Sequence, residues 1–303
     1  MKKGKKILAV VLVLLAVAAA AGAWYLYPAW YWAGSLQEKM DFAYFSYEME
    51  VEMDKEGMKE EQKKLFEVLA FLTGRDEEAL YHLTVKGSVW QDRIRVWIYP
   101  MGAEKPLVEL YMSGENDMIN EAVFYNVVRE NLTEKYPLLG HLMPRQENDM
   151  YMTLEQVEQM FDVDLSGMRE FTLPTIREFS RGQYFALLAF MSREETEGGR
   201  RFGLEREGAD LWFDMQRSQE ETHVRVEFSV RDQETLSEAA DLLSKMGIQL
   251  PGAAGRFQML KTLNASLWMG EGEEIAVPSK FVSQDIVELI SLIREWILKL
   301  SSR

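Results

Sequence analysis

From Phe45 to Asp54 the chain alternates, with Phe45, Tyr47, Met49, Val51 and Met53 on one face and Ser46, Glu48, Glu50, Glu52 and Asp54 on the other. A period of two sustained this long predicts a half-buried strand. The same alternation recurs at Tyr81–Lys86, Arg93–Ile98 and Val108–Met112, and Glu121–Val128 reads as a fourth segment of this block. Gln91-Asp92, Pro100-Met101-Gly102 and Gly114-Glu115-Asn116-Asp117 supply turn chemistry between them. Connections this short predict an antiparallel meander, because parallel neighbours need long crossovers. Further strands are expected at Arg201–Glu205, Asp210–Arg217, Thr222–Arg231, Phe257–Met269 and Glu274–Val277.

Between these blocks the period changes. Leu65, Val68, Leu69 and Leu72 follow helical spacing and stop at Gly74, a helix-ending residue. Thr153-Leu154-Glu155-Gln156 and Thr175-Ile176-Arg177-Glu178 have the form of capping boxes. The first opens a helix through Phe161, and the second a helix expected to bury Ile176, Phe179, Leu187, Phe190 and Met191. Gln233–Met246 reads as another helix, and Ser283 caps one to Leu300 with Ile286, Leu289, Ile290, Ile293, Trp296 and Ile297 in one apolar stripe.

The pattern at the start differs from all of these. Lys2, Lys3, Lys5 and Lys6 precede a run from Ile7 to Ala23 without a polar side chain, followed by Trp24, Tyr25, Tyr27, Trp30, Tyr31 and Trp32. Crossing a hydrocarbon core takes about 20 apolar residues, and Ile7–Leu26 has that length. Basic residues hold such ends in the cytoplasm, and Trp and Tyr favour the headgroup layer. Lys5, Lys6, Trp24, Tyr25, Trp30 and Trp32 are therefore the expected anchor residues of a single-pass membrane protein, with its body extracytoplasmic. The alternative is a signal peptide cleaved near Ala23, leaving a secreted body. With so few residues ahead of the span, a folded cytoplasmic output is not expected.

The expected fold class is α+β: an N-terminal transmembrane helix, then a mainly antiparallel sheet body, curved or two-lobed, with helices packed on one side. The domain reading is a stub, span and aromatic belt at 1–33, a first lobe at 37–165 and a second at 170–303, or one continuous domain. At the level of fold alone, such a body is similar to the helix-covered half-barrels of envelope proteins that carry lipids or lipoproteins. That likeness implies a ligand within the sheet's concavity.

Composition sharpens this in two ways. The four leading lysines belong to the anchor, so 30 of the 34 basic residues face 49 acidic ones in the rest, a net charge of −19. Such a surface repels phosphate backbones and argues against nucleic-acid binding. The chain has no cysteine, which rules out disulfides and suggests a bacterial envelope rather than a eukaryotic secretory route.

Candidate chemistry is sparse. Three histidines, His82, His141 and His223, fall on polar strand faces or in a loop, and no nucleophile motif, zinc motif or phosphate loop accompanies them. Glu48, Glu50 and Glu52 read as the charged face of an edge strand. Asp162-Val163-Asp164-Leu165-Ser166-Gly167 matches the first half of an EF-hand loop, with Glu170 at the ninth position, but Leu173 stands where a bidentate glutamate belongs. Asp162, Asp164, Ser166 and Glu170 are thus the candidate Ca2+ ligands. Met49, Met53 and Met112, among 18 methionines, are the candidates to line an apolar cavity, since Met adapts to varied apolar ligands. The functional expectation is a membrane-anchored, extracytoplasmic, non-catalytic module that binds a partner protein or an apolar envelope ligand. The alternative is an envelope hydrolase built on acidic residues and supported by calcium.

Overall fold

A computed structural model describes residues 22, 24–41, 43–113, 116–161, 179–218, 221–232, 234–235, 260–285, 287–288 and 291. The chain is α+β, organised around one antiparallel sheet of 11 strands in the order β6-β5-β4-β3-β2-β1-β11-β10-β9-β8-β7. The first group is β1 (Tyr44–Met53), β2 (His82–Trp90), β3 (Arg93–Pro100), β4 (Val108–Ser113), β5 (Asp117–Asn120) and β6 (Tyr151–Thr153). The second is β7 (Ser192–Thr196), β8 (Gly199–Arg206), β9 (Ala209–Arg217), β10 (Thr222–Val230) and β11 (Leu260–Met269). Each group is a meander. The seam between them is the pairing of β1 with β11, in register from Phe45 opposite Met269 to Glu52 opposite Thr262 and then irregular at Met53.

Helices include α1 (residues 24–39), α2 (Glu60–Thr73), α3 (Glu77–Tyr81), α4 (Glu121–Lys135), α5 (Leu154–Phe161) and α6 (Arg181–Ala189), with a 3-10 turn at Pro137–His141; residues 234–235, 284–285, 287–288 and 291 are helical as well, where the sequence predicts its two last helices. Their ends follow side-chain chemistry. Thr153 and Gln156 exchange the two hydrogen bonds of a capping box at α5, at 3.0 and 3.2 Å. Gln183 Oε1 accepts from both the backbone N–H and the hydroxyl of Ser180 at the start of α6. Gly74 takes φ +67 after α2, and buried Asn131 of α4 donates to the Phe71 and Leu72 carbonyls there.

Alternation gives the sheet an apolar and a polar face. One apolar row runs Phe202, Phe213, Val226, Leu267, Tyr47, Gly87, Val96 and Leu110 across the strands. A Cβ on Gly87 would stand 2.4 Å from the Tyr47 ring, so the glycine makes the seat into which that ring is buried. Burial pushes the Tyr47 hydroxyl well above the usual tyrosine range. This face is covered by α1 and α6: Ala29, Trp32, Ala33 and Leu36 join Phe45, Val89, Met112, Leu188, Phe202 and Met215 in the main core.

Several expectations are corrected here. Glu121–Val128 is not a strand but the start of α4, and the strand that follows β4 is β5 (Asp117–Asn120), just before it. Ala122 and Asn131, nine residues apart and so on opposite sides of α4, are its two buried positions, with Asn131 turned to the end of α2. Glu274–Val277 has no strand partner; residues 271–280 are irregular. Tyr81 ends α3 and stacks on Phe66 at 4.8 Å instead of opening a strand. Phe190, expected inside, is 89% exposed. Trp32, expected among the interfacial rings, is 8% exposed and faces the core. Glu48, Glu50 and Glu52 lie on the central strand rather than an edge, because β11 returns from far along the sequence to cover β1's other side. The expected capping box at Thr175, most of the two later helices, and the span Ile7–Leu26 apart from residues 22 and 24–26 lie outside the described residues. Among the described residues, no helix is long and apolar enough to cross a membrane.

Candidate binding cleft

The polar face of the sheet carries the groups able to recognise a ligand. Register places Gly203, Trp212, Glu227, Ser266, Glu48, Lys86, Trp97 and Glu109 in one row, each directly opposite its neighbour. The adjoining row is Arg201, Asp214, Arg225, Trp268, Ser46, Ser88, Arg95 and Tyr111. Residues opposite one another on a face are in contact range, and so are diagonal neighbours, so the glutamates of the first row meet the arginines of the second, with tryptophans in both.

Over β2 to β6 the end of this face that carries Ser88, Arg93, Tyr111, Met118 and Tyr151 is covered. Residues 271–282 run from the end of β11 to the β6 edge, where Phe281 makes a parallel bridge with Tyr151. On the way the Glu273 N–H donates to Ser88 Oγ at 2.9 Å and Arg93 donates to the Ile275 carbonyl at 2.9 Å. Ile275 packs with Tyr111, Met118 and Tyr151. Under this strap Glu109, 4% exposed, accepts from Arg95 Nε at 2.7 Å, Tyr151 Oη at 3.0 Å and Asn120 Nδ2 at 3.1 Å. Asn120 also donates to Asp149 at 3.0 Å. The Arg95 guanidinium lies 4.8 Å from the Trp97 ring centre. Burial disfavours the charge on Arg95, but its contact with Glu109 more than offsets this and its pKa is raised. Burial and the Glu109 carboxylate both push the Tyr151 hydroxyl upward.

Over β8 to β11 and β1 the same chemistry stands in an open cleft of about 530 Å³, lined by Glu48, Glu50, Arg201, Trp212, Arg225, Glu227, Ser229, Asn264 and Trp268 among others. Glu227 receives Arg201 on one oxygen and Arg225, at 3.1 Å, on the other. Arg225 also donates to Ser266 Oγ at 3.0 Å. Each arginine lies over an indole, Arg201 4.4 Å from the centre of Trp212 and Arg225 5.2 Å from that of Trp268. A Cβ on Gly203 would fall 2.1 Å from the Trp212 ring, so that indole rests flat on β8 because position 203 is glycine. The Nε of each arginine, and Oδ1 of Asp214 between them, are shielded from solvent without a hydrogen-bond partner among the described residues. Glu48 is paired with Lys86 at 3.1 Å and Asp210 with Arg231, whereas Glu50 is exposed and makes no ion pair among the described residues.

Comparison with known protein families, curated proteins and solved structures finds no match to this chain. The site therefore rests on its geometry.

Of the residues singled out from sequence, Met112 is buried in the main core, and Met49 and Met53 are half-buried on the same apolar face; none of the three lines the cleft. Asp162, Asp164, Ser166 and Glu170 lie outside the described residues, as do Lys5 and Lys6. No cluster of three or more His, Asp or Glu able to hold a metal occurs among the described residues. Trp24, Tyr25 and Trp30 are exposed along α1. His223 shares a 2.8 Å contact with Glu271. The residues that sequence reasoning passed over are Arg201, Trp212, Arg225, Glu227 and Trp268. Their signal was tryptophan at the outward positions of strands that also carry outward arginine and glutamate, a pattern that solubility alone does not call for.

Proposed function

We propose that the protein is a membrane-tethered, extracytoplasmic, non-catalytic binding module, and that the cleft over β8 to β11 and β1 holds its partner. The single observation carrying the binding role is the Arg201–Glu227–Arg225 cluster seated on two indoles and open to solvent. A polar cluster that serves stability alone is normally closed over and fully hydrogen-bonded. Here both arginines line the open cleft with 31% and 42% of their side-chain surface exposed, so each keeps N–H donors beyond those given to Glu227 and Ser266 that a bound group can claim.

The occupant the cleft favours is polar, presenting both N–H or O–H donors and carbonyl, hydroxyl or carboxylate acceptors. Glu50 and Asn264 meet the donors, and the two arginines meet the acceptors. The apolar ligand expected from the methionines fits less well, because the apolar face is filled by α1 and α6. The hydrolase alternative gains nothing from Glu227, whose two oxygens are both engaged by arginine. Tethering rests on the apolar run Ile7–Leu26 with its leading lysines.

The test is site-directed photocrosslinking with the full chain in its own membrane, the photoreactive group replacing Ser229 in the cleft or Met101 in the exposed β3–β4 turn. The expected result is a discrete adduct from position 229 that is missing from position 101 and lost in Arg225→Ala. Equal adducts at both positions, or none at either, would overturn the reading.

A further inference from the structure

A second surface lies at the exposed end of α1. Its inner side is fixed: Ala29, Ala33 and Leu36 are fully buried against the sheet. Away from that side Trp24, Tyr27 and Trp30 are 84%, 64% and 44% exposed, and Tyr25, one turn before Ala29 on the inner stripe, is 63% exposed. The body contributes to the same patch. Phe190, at the end of α6, is 89% exposed, and Arg193 bridges to it by donating to both the Ala189 and the Tyr25 carbonyls. The Arg193 guanidinium also lies 4.3 Å from the Tyr25 ring centre, and that of Arg181 lies 4.5 Å from Trp30. Arg181 donates to the Trp30 carbonyl at 3.1 Å, and a Cβ on Gly34 would come within 3.2 Å of its guanidinium carbon. Neither arginine has a carboxylate partner among the described residues, although the chain as a whole carries a net charge of −15.

We infer that this patch, made by Trp24, Tyr25, Trp30, Phe190, Arg181 and Arg193, is a bilayer-facing surface that presses the body against a headgroup layer containing anionic lipid and fixes its orientation there. The inference rests on the tethered reading, since the patch continues directly from the apolar run that precedes it. Its physical basis is complementarity. Indole and phenol rings partition to the layer between hydrocarbon and water, a bare phenylalanine beside them inserts, and arginine lying on ring faces presents charge to lipid phosphate. An exposed cluster of four large aromatic side chains on a body otherwise rich in carboxylates has no comparable partner in water. Because α1 is part of the core, a tilt imposed at the membrane is passed to the sheet as a rigid movement rather than absorbed by a linker. The polar cleft lies on the sheet face opposite α1, so this docking leaves the cleft uncovered.

The chain's lack of cysteine makes the test direct. The full chain carrying Phe190→Cys or Leu138→Cys, both sites highly exposed, is labelled with an environment-sensitive fluorophore and reconstituted into phosphatidylcholine–phosphatidylglycerol vesicles. The expected result is a blue-shifted emission at position 190 that headgroup-proximal spin-labelled lipid largely quenches, against water-like, unquenched emission at 138. Exchanging Arg181 and Arg193 for Gln is expected to reduce the quenching at 190 in anionic vesicles to its level in neutral ones. A chain that floats with the vesicles while its label at 190 stays water-like, or is quenched no more than at 138, overturns the inference and leaves the tether standing. A chain that does not float overturns both.

Discussion

The two halves of the polar sheet face use the same parts to different ends. In one, Glu109 is enclosed by Arg95, Tyr151 and Asn120 beneath the 271–282 strap; in the other, Glu227 lies between Arg201 and Arg225 under open solvent. Both carboxylates occupy the same cross-strand row, and in both halves an arginine is backed by a tryptophan. What differs is the cover. Excluding water makes an ion pair costly to break and leaves it no capacity for another molecule, whereas exposure makes the pair cheap and available. The covered half is thus a structural lock and the open half a recognition surface.

The largest test of that contrast is Glu109→Ala. Removing this carboxylate leaves the buried Asn120 amide and Tyr151 hydroxyl each short of an acceptor, and a loss of about 3 kcal/mol in denaturant unfolding of the full chain is expected. A loss no greater than that of a surface substitution would erase the distinction between the halves. Next is Gly203→Ala, which forces the Trp212 indole off β8. Overpacking of this kind costs about 2 kcal/mol, and a changed tryptophan emission together with a lost crosslink at Ser229 is expected; unaltered emission would mean that the glycine is not the indole's seat.

Arg225→Ala belongs to the open half. Its stability cost is expected to stay below about 1 kcal/mol, as for exposed ion pairs, while the crosslink at Ser229 disappears. A destabilisation matching that of Glu109→Ala would show that the cleft cluster is a lock as well.

The smallest effect concerns the seam between the halves. The hydrogen bond from Lys261 at 2.6 Å holds the Glu52 carboxyl below the usual carboxylate range. A carboxylate with a lowered folded pKa contributes stability above its ordinary range and loses it as pH falls through the lowered value. The Tm of Lys261→Met should therefore sit slightly below that of the wild type at neutral pH and converge with it in strong acid. A gap that persists in acid would assign the seam's stability to backbone pairing alone.

Much of this was legible in the sequence because alternation is local. Phe45–Asp54, Val108–Met112, Asp210–Arg217 and Thr222–Arg231 each show their buried face without reference to any other segment, and the strands found there differ by a residue or so at their ends. Ser192–Thr196 escaped notice because β7 is a sheet edge with no apolar alternation to reveal it. Glu121–Val128 misled because its valines and aromatics suit a strand by type, while burial of Ala122 and Asn131 against α2 and the sheet selected the helix. The site was less visible still. Trp212, Arg225 and Trp268 are separated along the chain and meet only through the β9–β10–β11 register.

The sequence by itself determined the two-faced strands, the α+β class and the apolar, lysine-led start, because each depends on residue type and short spacing alone. Tertiary structure decided the rest: that β1 is central, that Trp32 turns into the core while Trp24 and Tyr25 face outward, and that one half of a shared polar face is strapped shut while the other stays open. Those outcomes depend on strand pairings and packing between segments far apart in the chain, such as Glu52 and Lys261, separated by 209 residues. No local pattern encodes them, because their free energy exists only once the distant segments have met.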